Sequence, residues 1–407
     1  MNRIIKIGVA LLLCVVFQPI LTFAARNSGT TYARDAFRKY VDSGEISGVI
    51  TVFHKNGIEE TTCLGYANVE KKRPIAMDQV FQQCSQTKGF CGVSAAILIE
   101  EGRLGLEDPV SKYLPEFREL WIEVPSSNDV RTLVRAKNRL TMRMLLTHTG
   151  GLPFELPRIR LTGGWSRRMP LRSVANMAAT LPLKFEPGTK VQYSNIGMDT
   201  AAAVIEVVTG MRWEDFLKRR ILDPLGMTDT TFWPADEQLR NKIDIYTVRT
   251  GEKAKRIDQI ADMQRPWNDD RVFPSAGAGL WTSARDQLKF YKMLMNLGMG
   301  ENGVRILKED TVKSLLAVSQ RPKGIDPEGY SLGLAAPWED DEDAFFGHGG
   351  ALASQCLVNW HRKELRLLAV QFDHGSGFRG VCAKAAERFF SHAVNDRGVN
   401  AYTGRTK

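Results

Sequence analysis

A chain of 407 residues is long enough for one large domain with an insertion, or for two modest ones. With 43% hydrophobic and 25% charged residues it lies in the globular range, and no tract is biased enough to imply disorder across the main body. The formal charge of +9 comes from Lys and Arg scattered along the chain, the pattern of a solvated surface, so nucleic acid is not an expected partner.

The chain opens as an export signal. Arg3 and Lys6 precede the apolar run Ile7 to Phe17, and Thr22-Phe23-Ala24 supplies small residues at cleavage spacing, so residues 1–24 read as a signal peptide. Gln18 and Pro19 interrupt the run, leaving it short of the roughly 20 apolar residues of a membrane span. The expected location is periplasmic or extracellular, with membrane attachment only through this segment if it stays uncleaved. Cleavage removes two cations and no acid, leaving +7. Five cysteines then remain, Cys63, Cys84, Cys91, Cys356 and Cys382; an odd count leaves at least one thiol free unless chains are cross-linked.

The β-branched run Gly48 to Phe53 predicts a strand, Asn56-Gly57 a turn, and Glu59 to Leu64 the hairpin partner. From Ser85, apolar residues recur at helical spacing until a stop at Gly102. Helical patterns dominate Leu106 to Met299: Met142 to Thr147, Leu171 to Thr180, Met198 to Thr209, Trp213 to Ile221 and Ala284 to Leu297. Strand patterns return at Ala353 to Trp360 and Leu365 to Phe372, flanking His361-Arg362-Lys363, before a last helix over Val381 to Val394 and a polar tail, 395–407. Strands at both ends with helices between predict an α/β fold of the α+β type. Its antiparallel sheet is built from the N- and C-terminal segments and flanked by helices, and an all-helical region at about 106–299 is inserted within one domain, 25–394.

Three motifs carry chemistry. In Ser85-Gln86-Thr87-Lys88 a helix places the hydroxyl and the amine on one face, so they can share a proton. Serine needs a base, and lysine serves only if burial or a nearby cation lowers its pKa. Taken singly, the motif also fits an ordinary helix cap beside a solvated lysine. In Tyr193-Ser194-Asn195, tyrosine can relay a proton and asparagine can hydrogen-bond an amine or a carbonyl; a capping turn is the plainer reading. In His348-Gly349-Gly350, read as a turn before a strand, glycines let a ligand lie against a sheet edge. His148 is read as part of a structural turn, the acidic run Glu339 to Asp343 as a solvated loop, and no Cys or His cluster suggests zinc.

Taken in this order and with these intervals, the three motifs resemble the serine β-lactamase and penicillin-binding protein superfamily, with most similarity to its class C β-lactamase and esterase branch. Phe81 to Lys88, Leu145 to Leu152, Phe185-Glu186-Pro187-Gly188, Pro224-Leu225-Gly226-Met227 and Gly277-Ala278-Gly279-Leu280 extend the likeness over most of the mature chain. The resemblance implies Ser85 as acylated nucleophile, Lys88 as its proton partner, Tyr193 as general base and Asn195 as a polar positioner. It implies oxyanion donors in the backbone N–H groups of Ser85 and Ala351, with Gly350 beside the substrate and no metal or organic cofactor. His348 stands where lysine occupies a K-T-G motif, and Gly349 has no hydroxyl, which argues against efficient carboxylate recognition. The expected substrates are a small-molecule ester, a D-amino-acid peptide or a β-lactam. A true β-lactamase or DD-peptidase is the alternative enzyme, and a penicillin-binding-like protein without turnover is the alternative of another class. Arg158, Arg160, Arg167 and Arg168 are the other cations weighed for a substrate carboxylate, with a solvated loop as the plainer reading.

Overall fold

The computed structural model describes residues 29–124, 130–156, 160–161, 164–165, 169–257, 273–373 and 378–391. The signal-like segment and the polar tail lie outside these, as do Arg158, Arg167 and Arg168. The β-branched run folds as β1 (Gly48–Lys55), which turns at Asn56-Gly57 into β2 (Ile58–Asn68) and on to β3 (Arg73–Pro74). Short strands follow: β4 (Val80–Gln82), the hairpin of β5 (Trp121–Val124) and β6 (Thr132–Arg135), and the pair β7 (Arg160–Leu161) and β8 (Gly164–Trp165). Next come β9 (Tyr246–Thr247) with β10 (Lys255–Arg256), and β11 (Trp281–Ser283), which pairs with β4. β12 (Phe346–Gly349), β13 (Gln355–Asn359) and β14 (Glu364–Ala369) complete the set.

Strands from the two chain ends form one six-stranded sheet in the order β12-β13-β14-β1-β2-β3, antiparallel throughout. The pleat sorts its side chains by parity. Ile50, Val52, Leu365, Leu367 and Ala369 point to the main core, against the helix Ala284–Met295. Val49, Leu368 and Val370 point to the other face, where Phe37 of the helix Gly29–Asp42 and Phe378 and Phe389 of the helix Phe378–Ser391 cover them. Each Val, Leu, Ile or Phe among these, once fully buried, contributes about 1.5–3 kcal/mol relative to exposure. On this second face the buried Arg366 pairs with Glu364 and donates to the Phe389 carbonyl, fastening the last helix to the sheet.

Three expectations need amendment. The inserted region is mostly helical, yet β5 to β11 also lie within it. His348 and Gly349 of the third motif end an edge strand rather than lying in a turn, and Gly350 follows it. Phe346 to Gly349 have poor intrinsic strand preference, but the register with β13 (Gly347 opposite Leu357, His348 opposite Cys356) supplies a ladder that local propensity does not foretell. The helix Gly29–Asp42 has no counterpart in the sequence reading. The acidic run is held by partners rather than only solvated: Glu339 pairs with Lys323 and Asp343 with Arg362, and Asp340 lies within hydrogen-bond distance of the His361 ring.

The helix Thr87–Glu100 runs through the core, its Phe90 ring stacked on Phe290 at 3.7 Å between centroids. A Cβ on Gly92 would sit 1.8 Å from the Leu332 carbonyl oxygen. Only glycine admits the segment around Leu332 at this distance, and that approach delivers the neighbouring Tyr330 to the head of the helix.

Candidate active site

Ser85 lies in a 3-10 turn, Cys84–Gln86, that leads directly into the helix. From Gln79 to Leu98 every other residue is buried, and Ser85 alone is partly open. Cys84, just before it, has φ +51°, a left-handed conformation that costs a non-glycine residue about 1–3 kcal/mol. Thr87 donates its hydroxyl to the Cys84 carbonyl at 2.7 Å and helps to hold this turn. Burial pushes the Cys84 thiol up to about 11, against the pull of the Leu352 and Ala351 backbone N–H groups beside the sulfur. Cys84 is therefore a packed thiol next to the nucleophile, and none of the five described cysteines forms a disulfide.

One turn along, Lys88 is wholly buried and returns its Nζ toward the serine, 3.3 Å from Ser85 Oγ. Its two closest partners are neutral acceptors, the Asn195 side-chain oxygen at 2.7 Å and the Gly277 carbonyl at 2.6 Å. Burial lowers the lysine to about 7, while the charge of Asp199, the thiols Cys84 and Cys91 and the charge of Glu155 act in the opposite sense. At neutral pH such an amine exists both with and without its proton, which is what proton exchange with a serine hydroxyl requires.

The second motif enters from the helix Asn195–Thr209. Ser194 caps it by accepting from the Gly197 N–H at 2.9 Å, so the helix begins at Asn195, three residues ahead of the apolar pattern read from Met198. Lys88 Nζ lies 4.4 Å from the centroid of the Tyr193 ring. One helical turn below Asn195, the buried Asp199 accepts from Ser275 Oγ at 3.0 Å and from the Gly277 N–H at 3.1 Å. Asp199 thus holds, through its N–H, the same residue whose carbonyl accepts from Lys88. Burial raises Asp199 to about 6, against the Gly277 N–H, the Ser275 hydroxyl, Lys88 and the Ala276 N–H.

The third motif closes the other side. Gly347 exchanges hydrogen bonds with Ala335, so the odd-numbered residues of β12 turn their backbone groups away from β13. Gly350, of even parity, donates instead to Ser354 at 2.7 Å. By this alternation Gly349 keeps its backbone groups off β13, and in the turn past the strand the Ala351 N–H lies beside the Cys84 sulfur. A Cβ on Gly350 would come within 2.7 Å of the Gln83 carbonyl oxygen, so glycine is what lets this edge approach the nucleophile turn. His348 is 4% exposed, and burial lowers its imidazole to about 3, with Lys88 acting in the same direction. Its Nδ1 is 2.6 Å from the Gly349 oxygen and its Nε2 is 3.0 Å from Tyr330 Oη.

The fold therefore gathers Ser85, Lys88, Tyr193, Asn195, His348, Gly350 and Ala351 into one neighbourhood; the Tyr193 and His348 rings are 6.3 Å apart. Sequence reasoning passed over three participants. His148 does lie in a turn, with φ +64°, but its ring packs 4.4 Å from Tyr193 and its Nε2 is 3.2 Å from Tyr330 Oη. Tyr330 left no signal at all. Asp199 left one: with Thr200 it interrupts the apolar stretch Ile196 to Ile205, four residues after Asn195. Among the described residues, no group of three or more His, Cys, Asp or Glu could hold a metal ion, and no helix is long and apolar enough to cross a membrane.

Comparison with known proteins agrees with this architecture. The family described as Beta-lactamase matches residues 33–372. Lovastatin esterase of Penicillium rubens is 31% identical over 350 residues, which cover 80% of this chain and 84% of the relative. Esterase EstB of Burkholderia gladioli is 27% identical over 267 residues, 60% of this chain and 64% of the relative. Unliganded simvastatin synthase (LovD) of Aspergillus terreus shares the fold, with a TM-score of 0.72 at 21% identity over 91% of this chain and 100% of that one. The family match takes in every strand of the six-stranded sheet together with all three motifs, and the chain belongs to the beta-lactamase family.

Proposed function

We propose that the protein is an exported serine hydrolase that cleaves carboxylic esters through an acyl-enzyme on Ser85. The observation that carries this reading is the buried Lys88, held by neutral acceptors with its amine 3.3 Å from the serine hydroxyl. In acylation the Ser85 proton passes to the Lys88 and Tyr193 pair as Oγ attacks the carbonyl carbon. The developing oxyanion is met by the N–H groups of Ser85 and Ala351, and each well-placed donor is worth about 3 kcal/mol in the transition state. Tyr193 then protonates the departing alkoxide, and water repeats the sequence on the acyl-enzyme.

Ester selectivity rests on charge. His348 is neutral, and Arg321 turns its guanidinium to the Thr147 and Glu328 carbonyls and to Asp326 rather than to the serine. Neither provides the free cation that would hold the carboxylate of a β-lactam or of a D-amino-acid peptide. The exposed Phe154 ring, 6.1 Å from Tyr193, offers an apolar surface at the mouth instead.

Intact-mass analysis after fluorophosphonate treatment tests the assignment. One adduct is expected, on Ser85, absent in Ser85→Ala and formed much more slowly in Lys88→Ala, and the same spectrum reports where the mature chain begins. Ser85→Ala is also expected to lose turnover of a short-chain aryl ester by at least about a thousandfold. Labelling that survives Ser85→Ala would refute the nucleophile. Turnover of a chromogenic β-lactam in preference to the ester would move the substrate to the β-lactamase alternative, and labelling without turnover would leave a binding protein.

A further inference from the structure

Between the second and third motifs lies a row of buried polar groups whose hydrogens can be counted. The Ser194 backbone N–H donates to His148 Nδ1 at 3.3 Å. A backbone amide can only donate, so this nitrogen carries a lone pair, and a neutral His148 holds its proton on Nε2. Burial, with Lys88, Arg321 and His348 acting in the same sense, keeps the His148 pKa well below its ordinary value. His148 Nε2–H therefore donates to Tyr330 Oη at 3.2 Å. At the other end the Gly349 carbonyl, 2.6 Å from His348 Nδ1, can only accept, so a neutral His348 has a lone pair on Nε2 and Tyr330 donates its hydrogen there, at 3.0 Å. His348, also neutral, then carries its proton on Nδ1 and donates to the Gly349 carbonyl at 2.6 Å.

We propose that Tyr330 is a positioning residue: its hydroxyl is the centre of a one-way hydrogen-bond chain that locks His148 and His348 as neutral imidazoles of opposite tautomer, tying the Tyr193-Asn195 segment to the edge of β12. Each link has one donor and one acceptor. A proton added to His148 Nδ1 would face the Ser194 N–H, and one added to His348 Nε2 would face the Tyr330 O–H. Among the described residues, the groups that face the two rings are cationic or neutral: Lys88, Arg321, His348 and the Tyr193 and Tyr330 rings face His148, while Lys88, Tyr330 and Tyr193 face His348. Both ring nitrogens of His348 are thus committed to the wall of the site. In place of a carboxylate-binding cation, the third motif presents the edge backbone at Gly349 and Ala351, held at a set distance from Tyr193 and Lys88.

The test uses the intact protein labelled with 15N-histidine. Long-range 15N–1H spectra, assigned with His148→Asn and His348→Asn, are expected to show His148 as the Nε2–H tautomer and His348 as the Nδ1–H tautomer, neither titrating between about pH 5 and 8. Tyr330→Phe removes the shared hydroxyl and leaves an unmatched donor and an unmatched acceptor. It is expected to lower kcat about tenfold to a hundredfold with KM within about threefold, and to add a histidine ionisation to the pH profile. An Nε2–H tautomer for His348, a wild-type titration of either ring near its ordinary value, or Tyr330→Phe with unchanged kcat and tautomers would overturn the proposal. Should the variant not fold, the wild-type spectra decide. The kinetic arm rests on the hydrolase reading, but the tautomers can be read without any turnover, so failure of one is distinguishable from failure of the other.

Discussion

Two buried lysines show how one side chain is put to two uses. Lys88 is fully buried and Lys292 is 7% exposed. Lys292 sits between carboxylates, 2.6 Å from Glu59 and 2.8 Å from Glu301. Burial pulls Lys292 down, but its hydrogen bonds to Glu301 and Glu59 and their charges outweigh that, and its pKa ends above the ordinary value. Lys88 touches only neutral oxygens, burial wins, and its pKa falls to about 7. Direct contact with a carboxylate makes an amine a permanent cation, whereas amide acceptors with a carboxylate one shell further out make it a proton carrier.

The widest separation between the two is expected in activity. Lys88→Met should lower kcat/KM for an aryl ester about a thousandfold, while Lys292→Met stays within about threefold; similar losses from both would erase the distinction. Stability should reverse the order. Lys292→Met leaves Glu59 and Glu301 without their shared cation and is expected to cost about 1–2 kcal/mol in denaturant unfolding, a modest loss because Glu301 is half exposed. Lys88→Met should instead gain about 1–3 kcal/mol at pH 7, because the wild type holds a basic group that the unfolded chain protonates more readily.

The sign follows from proton counting. Between about 7 and the ordinary 10.5 the unfolded state binds more protons at Lys88, so wild-type stability rises with pH across that window and the gap to Lys88→Met narrows. A gap that widens with pH would contradict the low amine pKa. The smallest effect is Asp199→Asn, which keeps a side-chain oxygen for Ser275 and the Gly277 N–H but removes the main charge favouring protonated Lys88. The rise of kcat/KM with pH should shift to lower pH by about half a unit to one unit, with little change in the plateau. No shift would mean that Asp199 serves packing alone.

Much of this was legible beforehand where the signal is local. Gly48 to Phe53 announced β1 by its β-branched residues, Asn56-Gly57 its turn, and the spacing of Ser85 and Lys88 put hydroxyl and amine on one helical face before any packing was known. The His148 turn was visible too, but not that its ring would rest on Tyr193, 45 residues later in the chain.

What the sequence by itself determined is the opening hairpin, the closing strands, the longer helices between them, the three motifs and their chemical types, because helical and strand periods and turn residues act over a few neighbours. Tertiary structure alone decided that the Gly277 carbonyl, 189 residues from Lys88, accepts its amine, that Asp199 holds the N–H of that same glycine and does not touch the lysine, and that part of a glycine-rich turn becomes the edge of a sheet. The physical reason is that backbone oxygens are alike in every residue and carry no mark in the sequence. Which of them a buried charge meets, and hence where its pKa settles, is fixed only when distant segments pack together.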